Sequence, residues 1–290
     1  MTSDIKKPLL VDGNGVIKEE VNLQYHWYLF LFFIVYLTSF LVPGAIFMFY
    51  IWFSFLPNFL EVSDIITILT NWESFLSLLF MPGIILACYL IHLFFIAFTT
   101  RWMWAITENK SPSKDGIIPR NIPSKTLNYY HIRSFMIKYP KYVFSKGLFP
   151  WLLKWLYNFV GTNKIGKNTT IEEEVGADKF VEIGDDSYIG VNTIITSHVV
   201  EGIFGNISYF KVKLGNNLTC GGMNGFGPGC VSKDNAYLLP FATAGKYHNL
   251  KGNNYYFGIP VRKIFPRKVV DYLKLNKNDL EKNEKKRKEK

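Results

Sequence analysis

Hydrophobic positions follow two different patterns along the chain, and long apolar runs come first. Residues 27–56 and 75–100 contain no formally charged side chain over 30 and 26 positions. A helix needs about 20 apolar residues to span a bilayer, and both runs exceed that length. Each run contains a Pro-Gly pair, at 43–44 and 82–83, so we expect kinks there, and a re-entrant path stays open for the first run. The pattern predicts two transmembrane helices within 27–100, joined by a short external loop.

The placement of lysine and arginine predicts the orientation of these helices. The loop 57–74 contains no basic residue, whereas residues 101–160 contain ten. Because basic loops stay on the cytoplasmic side, we expect both termini and everything after Arg101 in the cytoplasm. Residues 1–26 then form a cytoplasmic N-terminal segment of a multi-pass cell-membrane protein. The first apolar run is too long for a cleaved signal peptide.

The connector 101–160 is basic and rich in aromatic residues. Within 144–161, leucine and aromatic residues share a helical face, with lysines interspersed. Such a helix is typical of the membrane interface, and it would equally suit a cap on the open end of a solenoid. Both interpretations stay open.

A six-residue period replaces the long runs after the connector. Positions six apart from Ile165 to Ile195 are isoleucine in five of six cases, and a second frame runs from Leu214 to Ala244. Glycine follows several frame positions, and small or β-branched residues stand four positions later. A repeat this short, with turn residues inside it, predicts a solenoid of short strands. Three six-residue repeats make one triangular coil. The stretch 199–211 is expected to loop out of it.

Three motifs in this region resemble those of the hexapeptide-repeat acyltransferases. They are 183-IGDDSYIGVNTIITSH-198, 214-LGNNLTCGGMNGFGPGCVSKDNA-236 and 258-GIPVRKI-264. The resemblance covers 161–265 and implies an all-β left-handed parallel β-helix beside the membrane α-helical N-terminal region. It also implies a homotrimer and acyl-CoA as co-substrate, with acetyl-CoA as the expected form. Thr219 stands where many members carry tryptophan, and the last coil, 238–243, lacks the usual glycine and serine.

The resemblance further implies which residues carry the chemistry. His198 stands where the family has a histidine that removes a proton from a hydroxyl or amine acceptor, and imidazole titrates near neutral pH, as this step requires. Glu201 is a candidate for orienting its ring, although a backbone carbonyl would serve as well. We expect Gly221, Gly222 and Gly227 to let the cofactor approach the backbone. We expect Arg262 and Lys263 to lie near its phosphates. The glycines equally suit coil corners, and the cations equally suit a basic membrane-facing surface.

Composition removes other classes of function. The net charge is +10, and much of it lies in the tail 266–290. We expect this tail to be disordered or a frayed helix, and to be attracted to anionic lipid. We expect no nucleic-acid partner, because no nucleic-acid-binding fold is evident. The three cysteines, Cys88, Cys220 and Cys230, form no CxxC pair and are interpreted as reduced packing residues, so no metal is expected.

Three functions follow from these patterns. The first is a membrane-anchored acyltransferase whose acceptor is held at the membrane, such as a lipid-linked sugar or a lipid. The second is a non-catalytic trimeric scaffold that clusters membrane partners. The third is a zinc lyase like the γ-type carbonic anhydrases, which needs three histidines where the repeat supplies only His198 and, at its margin, His248.

Overall fold

The chain divides into two compact units, one helical and one built of short strands. The computed structural model describes residues 11–12, 15–16, 25–62, 64–172, 174–176, 178–202 and 205–265, together with 274, 276 and 278. Most of the predicted N-terminal segment and basic tail, and Ala177 of the first repeat frame, lie outside the described residues. The helical unit comprises Leu23–Ser113 and Asn128–Gly161, and the strand unit comprises Met1–Asn22, Lys114–Leu127 and Thr162–Lys290.

Six α-helices account for most of the helical unit. Asp64 accepts a hydrogen bond from the Thr67 backbone N–H, and Asn71 accepts one from that of Glu73, so each caps the start of the helix that follows it. The bounds are α1 Tyr25–Tyr50, α2 Ile65–Thr70, α3 Trp72–Lys110, α4 Lys125–Met136, α5 Lys138–Lys146 and α6 Leu152–Val160, with α4 beginning in the strand unit.

Both predicted spans lie within helices that are longer than the apolar runs. A π-helical segment, Ile51–Leu60, continues α1, so the first helix is continuous over 36 residues, which favours a span over the re-entrant path. The second helix, α3, begins before the predicted run and continues ten residues past Thr100. Both helices are long and apolar enough to cross a membrane.

Small and hydroxylated side chains contribute to the contact between α1 and α3, beside buried apolar residues such as Val35 and Ile96. Thr38 and Thr99 are joined through their hydroxyl groups at 3.1 Å, and His92 Nδ1 lies 3.3 Å from the Ser39 carbonyl oxygen. Ser39 and Ser77 are 0% and 3% exposed. Small and hydroxylated residues of this kind let helix backbones approach closely.

The strand unit is a parallel β-helix, as the six-residue period predicts. Three parallel sheets, here called the first, second and third walls, follow one another around each coil. The first wall contains β4 Lys164–Ile165, β7 Val181–Ile183, β12 Val212–Leu214, β15 Val231–Ser232 and β18 Asn249–Leu250. The second contains β5 Thr170–Ile171, β8 Tyr188–Ile189, β13 Thr219–Cys220, β16 Ala236–Leu238 and β19 Asn254–Phe257, with β20 Arg262–Ile264 antiparallel at its end. The third contains β6 Glu174–Gly176, β9 Thr193–Ile195, β14 Gly225–Phe226 and β17 Thr243–Ala244.

The six-residue frame forms the core of the coil. Ile189, Ile195 and Leu238 are each 0% exposed, and the frame continues past Ala244 to Leu250 and Tyr256. The second frame therefore extends beyond Ala244, where the sequence pattern ends it. His248, placed at the margin of the repeat by the sequence, falls within the coil, since its carbonyl accepts a hydrogen bond from the Val231 backbone N–H at 2.9 Å.

One corner of the coil is a stack of asparagine and aspartate residues with positive φ. A left-handed conformation turns the chain between the first and second walls, and asparagine and aspartate tolerate it better than most residues. The Asn217 amide nitrogen donates to the Asn235 amide oxygen at 2.6 Å, so the stack is hydrogen-bonded between coils. Its members are Asn168, Asp186, Asn217, Asn235 and Asn253, with φ between 51° and 58°.

A β-hairpin leaves the coil between β9 and β12, where the loop 199–211 is predicted. It consists of β10 His198–Glu201 and β11 Asn206–Tyr209, and β11 also pairs with β3 Gly116–Ile118. Ser232 pairs with Leu214, 18 positions earlier, whereas Leu214 pairs with Ile183, 31 positions earlier. The hairpin is therefore an insertion into an otherwise regular coil. A separate short pair, β1 Val11–Asp12 and β2 Gly15–Val16, is antiparallel.

Candidate functional site

His198 is the first residue of the hairpin and is fixed through its backbone. The His198 N–H donates to Thr196 Oγ1 at 3.3 Å, and the Thr196 hydroxyl donates to the His198 carbonyl oxygen at 2.6 Å. The residue is half-buried. These contacts fix the point where the chain leaves the third wall, so the imidazole is carried at the base of the hairpin rather than at its tip.

Tyr209 is the cross-strand partner of His198. Since directly opposite residues of an antiparallel pair share a face, the two rings are neighbours on one side of the hairpin. Tyr209 is 2% exposed, and its ring lies 4.8 Å from that of Phe180. The Lys179 ammonium group lies 5.1 Å from the centre of the Tyr209 ring, and Lys179 is 1% exposed. The face that carries His198 is therefore backed by aromatic rings and a buried cation.

Glu201, predicted to orient the His198 ring, lies three residues further along the same strand. Side chains alternate between the two faces of a strand, so residues 198 and 201 point to opposite sides of the hairpin. The Glu201 carboxylate accepts hydrogen bonds from the Ser208 hydroxyl and from Lys246 Nζ, the latter at 2.5 Å. Lys246 also donates to Ser208 Oγ at 2.7 Å. The hydrogen bond from Lys246, and then that from Ser208, lower the pKa of Glu201.

Coil packing accounts for the three glycines that were candidates for the cofactor site. A Cβ at Gly221 would lie 2.9 Å from Pro240 Cδ, and one at Gly227 would lie 2.9 Å from the Lys246 backbone nitrogen. Gly222 has φ of +108°, which other residues rarely adopt. The next coil approaches too closely for side chains at the first two positions. Gly221 and Gly222 lie at the corner between the second and third walls, and Gly227 lies at the corner between the third and first.

Arg262 and Lys263 lie on β20, at the end of the second wall. They pair with Phe257 and Tyr256 in antiparallel register, and both cations are exposed. A polar cleft of 230 Å³ lies along the same wall, and its lining includes Thr219, Tyr237 and Tyr255 with the asparagines at 217, 235 and 253. The two cations and this cleft therefore share one wall, whereas His198 leaves the coil after the third.

Several residues of this region were not found by the sequence analysis. Ser208 and Tyr209 lie on the hairpin and Lys179 and Lys246 contact it, yet none of the four lies in a motif. The second wall does have a signal in the sequence. In five successive coils, the Asn or Asp of the corner stack is followed two positions later by Thr or Tyr. The outward residues so marked form a column across neighbouring strands, Thr170, Tyr188, Thr219, Tyr237 and Tyr255.

The described cysteines are free thiols, as predicted, and two of them are in the coil core. Burial raises the pKa of Cys230 to about 12 and raises that of Cys220 as well, with a smaller contribution from Cys230. Both thiols are therefore protonated and unreactive near neutral pH. Within the part of the chain that the structure describes, no three His, Cys, Asp or Glu residues are placed together to hold a metal ion.

Comparisons with known proteins give partial structural likeness alone. No protein-family model matches the sequence, and no curated protein matches it. A maltose O-acetyltransferase from Clostridium difficile 630 is 21% identical over 37% of this chain and 59% of its own, with a TM-score of 0.33. A hexapeptide-repeat acetyltransferase from Vibrio cholerae is 16% identical over 37% and 64%, with a TM-score of 0.26. AntD, an N-acyltransferase from Bacillus cereus in complex with dTDP and 3-hydroxybutyryl-CoA, is 18% identical over 43% and 82%, with a TM-score of 0.26. The chain spans less than two thirds of the first two proteins.

Proposed function

We propose that this chain is a membrane-anchored acyltransferase that moves an acyl group from acyl-CoA to a hydroxyl or amine acceptor, with His198 as general base. The observation that carries the proposal is the position of His198 at the base of a hairpin inserted between β9 and β12. This is where the motif ending at 198 places the histidine of the family it resembles. The left-handed coil and the homotrimer, with the imidazole at a seam between subunits, belong to the same proposal.

The chemistry requires one group that accepts and returns a proton. The imidazole takes the proton of the acceptor O–H or N–H while that atom attacks the thioester carbonyl carbon. The C–S bond then breaks, and the departing thiolate takes the proton from the imidazolium. Thr196 fixes the backbone of the base, and Tyr209 beside it limits where the ring lies. No covalent enzyme intermediate is needed.

The second wall is our candidate for the CoA-binding surface. Its polar cleft offers amide and hydroxyl groups, and Arg262 and Lys263 at its end would suit the phosphates of the nucleotide. Coil packing already explains the glycines at 221, 222 and 227. They contribute to CoA binding only if the cofactor also lies along the coil corners.

Membrane insertion is supported by the distribution of polar and apolar side chains in α1 and α3. Only 22% and 17% of their most apolar windows is buried. Leu79, Phe80 and Phe98 are 57%, 57% and 51% exposed, while the hydroxyl groups of Ser74 and Thr100 are buried. A helix in the core of a soluble protein would have the opposite arrangement. With the basic residues after Arg101, this favours two spans with the β-helix in the cytoplasm.

A direct assay tests the activity. The full chain in detergent is incubated with acetyl-CoA and candidate acceptors, and release of free thiol is measured together with acetylated product. Product formation that survives removal of metal by a chelator supports acyl transfer. The absence of product with hydroxyl, amine, saccharide and lipid acceptors, in protein shown to be folded, would overturn it.

A non-catalytic trimeric scaffold is the second candidate. The observation that favours it is the coil packing at Gly221 and Gly227, which explains both glycines without a cofactor. The two proposals differ in whether CoA binds. Calorimetric titration of the full chain with CoA gives saturable binding for the transferase and none for the scaffold.

A further inference from the structure

A recess of 510 Å³ lies between α1 and α3, midway along both helices. This volume is within the range of about 300–1,000 Å³ that is usual for ligand pockets. We call it the interhelical cleft, and it is separate from every residue assigned above to acyl transfer. The walls that matter here are Pro43, Gly44, Phe47, Cys88, Tyr89 and His92.

The Pro43-Gly44 pair lines this cleft. Proline has no N–H, so the Ser39 carbonyl, four residues earlier, loses the donor that the helix would otherwise supply. His92 Nδ1 lies 3.3 Å from that carbonyl oxygen and replaces the missing donor. Gly44 contributes no side chain, and a Cβ built there would meet nothing within 4 Å. The recess is therefore open at Gly44, and the contact between His92 and Ser39 joins the two helices beside it.

This arrangement exceeds what a plain anchor requires. An ionisable ring between two helices is costly in a membrane, and such residues are usually functional. His92 is 8% exposed and also packs on Phe40, with the two ring centres 4.2 Å apart. An uninterrupted leucine-rich helix would span the bilayer equally well without a recess.

The walls determine the chemistry of an occupant. Apart from one imidazole, one phenol and one thiol they are hydrocarbon, so a sugar or phosphate group would lose its water without gaining partners there. A peptide segment would likewise leave its backbone groups unsatisfied. We propose that the interhelical cleft holds one hydrocarbon chain of a lipid that serves as the acceptor. This inference rests on the membrane insertion and acyl transfer proposed above.

Photolabelling tests the occupancy of the cleft. The full chain is reconstituted in vesicles of phosphatidylcholine that carries a diazirine halfway along one acyl chain, and adducts are mapped by mass spectrometry. We expect adducts to concentrate on Cys88 and Tyr89, above Leu86 and Leu90, which are each 43% exposed on the same helix. Equal labelling of the four positions would overturn the cleft while leaving membrane insertion intact. No labelling on either helix would overturn the membrane insertion that both proposals need.

Two glycine variants provide the matched comparison. Gly44→Leu places a side chain in the cleft, displaces at least two methylene groups and should lower cleft labelling about tenfold. Gly83→Leu alters the other Pro-Gly pair, where a Cβ also meets nothing within 4 Å, and should leave cleft labelling unchanged. Equal effects of the two variants would contradict the proposal.

The role as acceptor is tested on the lipid that co-purifies with the chain. After incubation with radiolabelled acetyl-CoA, that lipid should carry the acetyl group, and it should be lost from the Gly44→Leu protein. Transfer to a water-soluble acceptor should persist in that variant, because the β-helix is unchanged. A cleft that is labelled while the co-purified lipid stays unacetylated would overturn the acceptor role and leave transfer to soluble acceptors standing.

Discussion

Lys246 Nζ lies 2.5 Å from Glu201 Oε2, so a lysine of the coil holds the hairpin that begins at His198. The two residues are 45 positions apart in the chain. The contact links the inserted hairpin to the corner between the third and first walls. It gives Glu201 a role in holding the hairpin.

Loss of this contact should loosen the hairpin without unfolding the coil. We expect Lys246→Met to increase amide hydrogen exchange in Val199–Glu201 several-fold, because the carboxylate loses its cation while the core of the coil is untouched. Exchange at Ile189 and Leu238 should stay unchanged. Lys233→Met, at an exposed position of the neighbouring corner, is the control. Unaltered hairpin exchange in Lys246→Met would show that the contact does not hold the hairpin.

Acid should have the same effect on the hairpin. The pKa of Glu201 is lowered from its usual 4.5, first by Lys246 and then by Ser208. Since the folded pKa is below the unfolded value, the contact stabilises the hairpin fully above pH 4.5 and loses that contribution as the pH falls through the lower folded value. Hairpin exchange, corrected for intrinsic rates, should therefore rise as the pH is lowered below 4.5. Glu201→Gln should remove the pH dependence, and a variant that retains it would contradict this assignment.

Gly227 distinguishes packing from cofactor binding. A Cβ there would lie 2.9 Å from the Lys246 nitrogen and 3.0 Å from the Gly245 carbonyl carbon, and backbone cannot move aside cheaply. Gly227→Ala should lower the free energy of unfolding by about 1–3 kcal/mol, as overpacking does. Gly245→Ala, where a Cβ meets nothing within 4 Å, should cost far less. Thermal unfolding of both variants measures the difference, and equal stabilities would refute the packing explanation.

Arg133 should be the most sensitive position tested in the helical unit. Its side chain is 2% exposed, contacts Glu108 at 3.3 Å and donates to the carbonyls of Thr107 and Ser111 at 3.2 and 2.6 Å. Arg133→Met leaves a carboxylate and helix-end carbonyls without this cation, which should cost about 3 kcal/mol of unfolding free energy. Lys110→Met, at the exposed end of α3, should change stability by less than about 0.5 kcal/mol. A fall of similar size in both variants would argue against the buried clamp.

The parts of the fold that repeat locally could be predicted from the sequence. Five isoleucines at a period of six indicate the coil, and the break after Ile195 indicates the loop, because both signals lie within one stretch of chain. Contacts between distant segments leave no such signal. Nothing around Gly116–Ile118 indicates that β3 will join β11, and nothing near Lys246 indicates its carboxylate partner.

The candidate site could be predicted only in part for the same reason. His198 is marked by a motif, and its place at the base of a hairpin follows from the interrupted period. Glu201 is close to it in sequence, but strand alternation turns the two side chains apart, which proximity along the chain does not reveal. Lys179 and Tyr209 become neighbours only when one coil stacks on the next.

The central claim is tested most directly by comparing two histidine variants of the full chain in acetyl transfer. We predict that His198→Ala lowers kcat/KM by about 10²–10⁴-fold, as the loss of a general base does, with CoA affinity retained. His248→Ala, a change within the same coil domain, should leave turnover near that of the unaltered protein. Full activity in folded His198→Ala protein would contradict the account.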